Sequence, residues 1–150
     1  LNFSEINESF KAYKLFEHQH VPEINQELGK AAGKPVDVVF VPHLLPVSRG
    51  ILCTIYARTE AGVTTDTLSD VYQRAYQNEP FVKVMPRGVL PELRHVQHTN
   101  LCNIGLRVDP VKKLAVIITA IDNLGKGAAT QAVQNMNLMC GFDERQGLGV

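Results

Sequence analysis

Residues 49–59, RGILCTIYART, decide how the chain is read. Strict alternation places Ile51, Cys53, Ile55 and Ala57 on one side of a strand, and Leu52, Thr54, Tyr56 and Arg58 on the other. The two faces therefore meet different surroundings, as in a sheet covered differently on its two sides. Downstream, FVKVM (81–85), NIGLRV (103–108) and LAVIITAI (114–121) read as further short strands, set apart by the turn formers PRG and DPVKK. Between them TTDTLSDVYQRAYQ (64–77) repeats Leu68, Val71, Tyr72, Ala75 and Tyr76 at helical spacing, with Thr64 or Thr65 as its cap. GKGAATQAVQNMNLMCG (125–141) reads as a second helix with Ala129, Ala132, Val133, Met136 and Cys140 on one stripe, closed by Gly141 in a left-handed conformation. Clustered, hairpin-like strands with separate helices predict an α+β fold: a mixed, largely antiparallel sheet with helices packed on one side.

Upstream of the strand, KAYKLF (11–16) has strand character and Pro22 suits the first turn of a short helix through Ile24 and Leu28. GKAAGKP (29–35) reads as a loop, and VDVVFVPHLL (36–45) as a largely buried strand. At 150 residues the chain has the size of one domain, with no internal repeat or second boundary in its sequence. Fifteen basic side chains balance fifteen acidic ones, which argues against a nucleic-acid surface. No apolar run reaches the ~20 residues of a membrane helix. Cys53, Cys102 and Cys140 are odd in number and far apart, which predicts buried structural thiols and a cytoplasmic setting without a disulfide framework.

Three constellations could carry chemistry. FEHQHVPEI (16–24) puts His18, His20 and Glu23 close together; on a strand both imidazoles would face one site. A polar strand end, a metal site built from two imidazoles and a carboxylate, and acid–base or anion-binding work are all compatible with that spacing. PHLLPVSRG (42–50) brings His43 and Arg49 into one proline-stiffened connection that suits a phosphate or carboxylate. AIDNLGKGAATQAVQN (120–135) sets Gly125 and Gly127 around Lys126 at a helix start, with Asn123 offering an amide just before.

The stretches HQHVPEI, VPHLLPVSRGIL, EPFVKV, TNLCNIG and AIDNLGKGAATQAVQNMNLMCGF, in this order, resemble the N-acetyl-gamma-glutamyl-phosphate reductase family, which is itself similar to aspartate-semialdehyde dehydrogenase. The likeness runs over essentially the whole chain. It implies a glyceraldehyde-3-phosphate dehydrogenase-like C-terminal domain, residues 1–150 serving as one substrate-binding and oligomerisation domain. An NADP-binding Rossmann domain and a nucleophilic cysteine in a Gly-Cys-Tyr-Pro-Thr type motif are expected outside this chain, because neither motif occurs in it. The opening LNFSEINESF, without an initiator methionine, fits that expectation.

The implied chemistry is attack of the thiolate on an acyl phosphate, loss of phosphate, and reduction of the thioester by NADPH to a semialdehyde, in arginine biosynthesis. His18 and His20 match the histidines of the family's His-Arg-His-Thr-Pro-Glu-Ile motif, with Gln19 in place of arginine and Val21 in place of threonine. The resemblance implies His20 as the partner of the cysteine, His18 and Glu23 as substrate contacts, and His43 and Arg49 near a substrate phosphate or carboxylate. Asn123, Gly125 and Gly127 fall at the nicotinamide side of the cofactor site, Gly125 replacing a bulkier aliphatic residue. The helix 125–140 is expected to pack on the cofactor domain. The family is metal-free and homo-oligomeric, as dimer or tetramer, without nucleic-acid or membrane partners; a part of it taken alone is expected to be inactive. Against it stand a metal-binding β-domain using His18, His20 and Glu23, and an oligomerisation module without catalytic role, for which the Leu52, Thr54 and Tyr56 face is suited.

Overall fold

The computed structural model describes residues 7–149. It divides into two compact units, with the boundary between Ser48 and Arg49.

The larger unit is built on one four-stranded sheet in the order β3 (Ile51–Arg58), β6 (Leu114–Ile121), β5 (Cys102–Asp109), β4 (Val82–Val84). Strand β3 (Ile51–Arg58) is the alternating segment read first from the sequence. It pairs antiparallel with β6 (Leu114–Ile121), in register from Ile51 opposite Ile121 to Arg58 opposite Leu114. β6 forms a hairpin with β5 (Cys102–Asp109), and β4 (Val82–Val84) lies parallel to β5 on the far edge. The sheet is mixed and largely antiparallel, as its sequence predicts.

One sheet face carries the core. Ile104, Leu106 and Val108 of β5 and Ala115 and Ile117 of β6 are buried there, and Leu68, Tyr72 and Tyr76 of the helix α2 (Thr65–Tyr76) pack against them. Thr64 caps α2, its side chain accepting the backbone N–H of Thr67, while Thr65 Oγ1 accepts the Val108 N–H at 2.9 Å and ties the helix to β5. The buried stripe is narrower than the sequence suggests. Val71 and Ala75 belong to the same apolar repeat yet face solvent.

On the opposite face Leu52, Thr54 and Tyr56 line up in register with Ala120, Ile118 and Val116. Leu52 and Tyr56 are 46% and 69% exposed, so this second apolar face is largely uncovered. At its β5 end the chain itself lies close: a Cβ on Gly105 would stand 2.9 Å from the Val89 carbonyl oxygen.

After β6 the chain turns through a short π-helical segment, Gly125–Ala129, into α3 (Thr130–Cys140), which Gly141 ends in the left-handed conformation. On this helix the apolar stripe stays open while two amide side chains are buried. Ala129, Ala132, Met136 and Cys140 are exposed, whereas Gln134 and Asn137 are buried. The reason is hydrogen bonding: Asn137 Nδ2 donates to the carbonyls of Glu144 and Gln146, and Gln134 Nε2 to the Glu144 carboxylate. Cys53 and Cys102 are half-buried with thiol pKa values raised by desolvation, but Cys140 is exposed, so the buried-thiol expectation fails for it.

The smaller unit contains the two-residue strands β1 (Lys11–Ala12) and β2 (His43–Leu44), paired antiparallel, and helix α1 (His20–Ala32). Three expectations need correction here: of KAYKLF (11–16) only Lys11–Ala12 is strand, the chain turning away after it. Residues 29–32 continue α1 rather than forming a loop, and 36–42 form no strand and are only partly covered, with Val39 81% exposed, although the Pro42 carbonyl accepts the Tyr13 N–H. The alternation of a strand persists there in which side chains are partly covered, but without its burial.

Candidate functional site

His18 and His20 do not share a strand. Residues 14–17 form a turn that carries His18, and His20 is the first residue of α1. The rings still come together, with centroids 4.9 Å apart and planes tilted by 59°. Pro22 sits in the first helical turn, where its missing N–H costs nothing, and Glu23 follows in that same turn, exposed, where the helix dipole favours a carboxylate.

The two imidazoles differ in how they are held. His18 Nδ1 lies 3.3 Å from the backbone nitrogen of His20, and Nε2 lies 3.3 Å from the Tyr13 hydroxyl. A backbone N–H can only donate, so Nδ1 is the acceptor; the ring proton then sits on Nε2 and is donated to the tyrosine oxygen. Phe40 meets the same ring edge-on at 5.1 Å. Desolvation, followed by the neighbouring charges of His20 and Lys14, pushes the His18 pKa below its usual value, in keeping with a neutral ring. Neither ring nitrogen of His20 has a hydrogen-bond partner among the described residues. His43 lies elsewhere in this unit, stacked on Phe10 at 4.8 Å, with Nδ1 3.1 Å from the Val41 carbonyl. Among the described residues no three His, Cys, Asp or Glu side chains are gathered as a metal site.

In the larger unit the sequence-selected residues converge on one that sequence reasoning missed. Asp122, sealed from solvent at the end of β6, accepts from Arg49 Nε at 2.9 Å, from the N–H of His98 at 2.6 Å, and from the N–H groups of Leu124 and Gly125 at 2.9 and 3.1 Å. Burial alone would raise its pKa, but the N–H donors of His98, Gly125 and Leu124, with the Arg49 guanidinium, outweigh it and hold the carboxyl below its ordinary range. Arg49 also donates Nη1–H to His98 Nδ1 at 2.8 Å, and its carbonyl accepts from Gln97 Nε2. Its guanidinium is thus largely spent inside the protein, fixing the start of β3 to the end of β6. Gly50 follows at φ 121°, and a Cβ there would come within 2.8 Å of Leu93, so only glycine fits.

Asn123 is oriented by the same lock: its Oδ1 accepts the Gly50 N–H at 2.6 Å, leaving the Nδ2 protons unused. Gly125 and Gly127 are explained by close packing. A Cβ on Gly125 would lie 3.2 Å from the Thr99 carbonyl, and one on Gly127 would lie 3.3 Å from the Asp122 carbonyl and from Ile121. Of the three residues expected at a nicotinamide, Asn123 is the one with a free donor for a carboxamide oxygen. A signal for Asp122 was available: an aspartate closing an apolar strand immediately before a helix start is placed to accept that helix's first N–H groups.

Residues 1–123 match the family described as semialdehyde dehydrogenase, dimerisation domain. The chain belongs to that family. It is 54% identical over 147 residues to N-acetyl-gamma-glutamyl-phosphate reductase of Pelotomaculum thermopropionicum, covering 98% of this chain and 42% of that protein. It is 51% identical to the protein of the same name from Symbiobacterium thermophilum, covering 99% and 43%. The chain thus spans less than half the length of the curated relatives it matches. A crystal structure of aspartate semialdehyde dehydrogenase II from Vibrio cholerae superposes with a TM-score of 0.66 at 20% identity, over 82% of this chain and 37% of that one, which establishes the shared fold.

Proposed function

We propose that this chain is the substrate-binding and oligomerisation part of an NADP-dependent reductase that converts N-acetyl-gamma-glutamyl phosphate to N-acetylglutamate 5-semialdehyde and phosphate through a cysteine thioester. The observation that carries this reading is the 54% identity to a reductase of that name, joined to a histidine pair of which one ring is free. His20 is the partner of the thiolate. An imidazolium beside a thiol favours the thiolate, the nucleophilic form, and its proton can pass to the oxygen of the thiohemiacetal. His20 suits both roles because neither of its ring nitrogens has a hydrogen-bond partner among the described residues and its position is exposed. Glu23, on the first turn of the same helix, and His43, whose Nε2 has no partner among the described residues, are the substrate contacts in this unit; Arg49 serves mainly to hold Asp122 and His98.

When bound, NADPH supplies the hydride. On this chain Asn123 would receive its carboxamide, with Gly125 and Gly127 shaping the turn behind. The exposed Ala129, Ala132 and Met136 stripe of α3 supports docking on a cofactor-binding domain, and the open Leu52, Thr54 and Tyr56 face supports contact with a second copy. The setting is cytoplasmic, and among the described residues no helix is long and apolar enough to cross a membrane. The test is phosphate-dependent NADP reduction by the complete protein with N-acetylglutamate 5-semialdehyde. Activity that falls about 10²–10⁴-fold in His20→Asn is expected; full activity in that variant, or none in the wild type, overturns the reading.

A further inference from the structure

The histidine-bearing turn holds one group that neither the sequence motifs nor the proposed chemistry uses, the Tyr13 hydroxyl. It ends a short chain of contacts: Tyr13 Oη to His18 Nε2, His18 Nδ1 to the His20 backbone N–H, and the His20 ring set at the first residue of α1. That N–H is one of the four that open an α-helix without an intrahelical acceptor. The ordinary solution is a Ser, Thr, Asp or Asn side chain at the N-cap, but here the N-cap residue is Gln19, and its side chain makes no capping bond. His18 supplies the acceptor instead, and only in the tautomer whose proton is on Nε2. The backbone holds the turn in a demanding form as well, with Lys14 at φ 47° and Phe16 at φ 61°. Phe40, edge-on to His18, and Tyr13, whose ring stands at 78° to it, enclose the imidazole from two sides.

We propose that Tyr13 is a positioning residue: its hydroxyl accepts the Nε2 proton of His18, fixes that ring as the acceptor for the His20 backbone N–H, and so sets the direction in which the His20 imidazole points. His18 on this account is a helix cap rather than a substrate contact. The proposal rests on the reading of His20 as the thiolate's partner, but its geometry can be measured without that reading.

Two measurements on the complete protein separate them. In ¹⁵N NMR of histidine-labelled protein, with His18 assigned through His18→Gln, wild type should show His18 protonated on Nε2 and bare on Nδ1. Tyr13→Phe, which removes only the hydroxyl, should convert this to a mixture of tautomers. In the same variant kcat should fall about 10-fold to 10²-fold with KM nearly unchanged, because a misdirected imidazole harms the step rather than binding. A mixed or Nδ1-protonated His18 in wild type, or a tautomer indifferent to Tyr13→Phe, overturns the proposal, as does an unchanged kcat. An unaltered rate in His20→Asn would instead overturn the reading of His20, and the tautomer result would still decide the role of Tyr13.

Discussion

Among residues 49–149, Phe81, Val96, Ala115 and Asp122 are sealed from solvent, whereas none of the described residues 7–48 is buried. The sheet unit has a continuous antiparallel ladder and a core of aliphatic side chains under α2. The histidine unit is held by ring contacts, two two-residue strands and side-chain bonds such as Asn25 Oδ1 to the Val38 N–H. A group that must gain and lose a proton near neutral pH works against burial, which penalises its charged form. His20 thus stands exposed on the lightly covered unit, while Asp122 is sealed in the other, where N–H donors and Arg49 hold its carboxyl below the ordinary range.

The same kind of change should cost very different amounts in the two units. Asp122→Ala would leave Arg49 and three backbone N–H groups without their acceptor, and about 3 kcal/mol of stability should be lost, the low end for a broken buried pair because the Arg49 side chain stays 23% exposed. Denaturant unfolding checks this. The pH dependence has a definite sign: a carboxyl held below its unfolded value stabilises fully above ~3.9 and loses that contribution as pH falls through its folded pKa. Wild type should therefore lose stability below about pH 4 more steeply than Asp122→Ala. Equal acid slopes would remove Asp122 from its place as the lock.

Leu106→Ala, in the core beneath α2, should cost about 2–5 kcal/mol. Asn25→Ala, although it removes two hydrogen bonds, should cost only about 1 kcal/mol because the site is at most partly covered and water can replace them. If the Asn25 variant loses as much as the Leu106 variant, the contrast between the units is wrong.

Most of the sheet was legible because β3, β5 and β6 carry clean alternation or unbroken β-branched runs, and α2 carries its own cap and stripe. Three parts were not. Residues 36–42 have the pattern of a strand, but pattern specifies direction of side chains and not the presence of a partner to pair with. Which side of α3 the chain itself covers was not readable, because Gln134 and Asn137 are buried by bonding the returning chain, a pairing across sequence that no local period records. The histidine pair was visible as residues but not as geometry: His-x-His on a strand and His-x-His across a helix start read alike, and only the cap tells the rings apart.

On the proposed division of labour, His20 serves the thiolate and His18 holds the turn. Iodoacetamide alkylation of the nucleophilic cysteine in the complete protein, followed against pH for wild type, His20→Asn and His18→Asn, tests it directly. With His20 replaced, the alkylation pKa should rise from the activated range of roughly 3.5–7.5 toward the ~8.5 of a free thiol. With His18 replaced, it should stay closer to wild type. A pKa that moves only in the His18 variant, or in neither, would contradict the assignment.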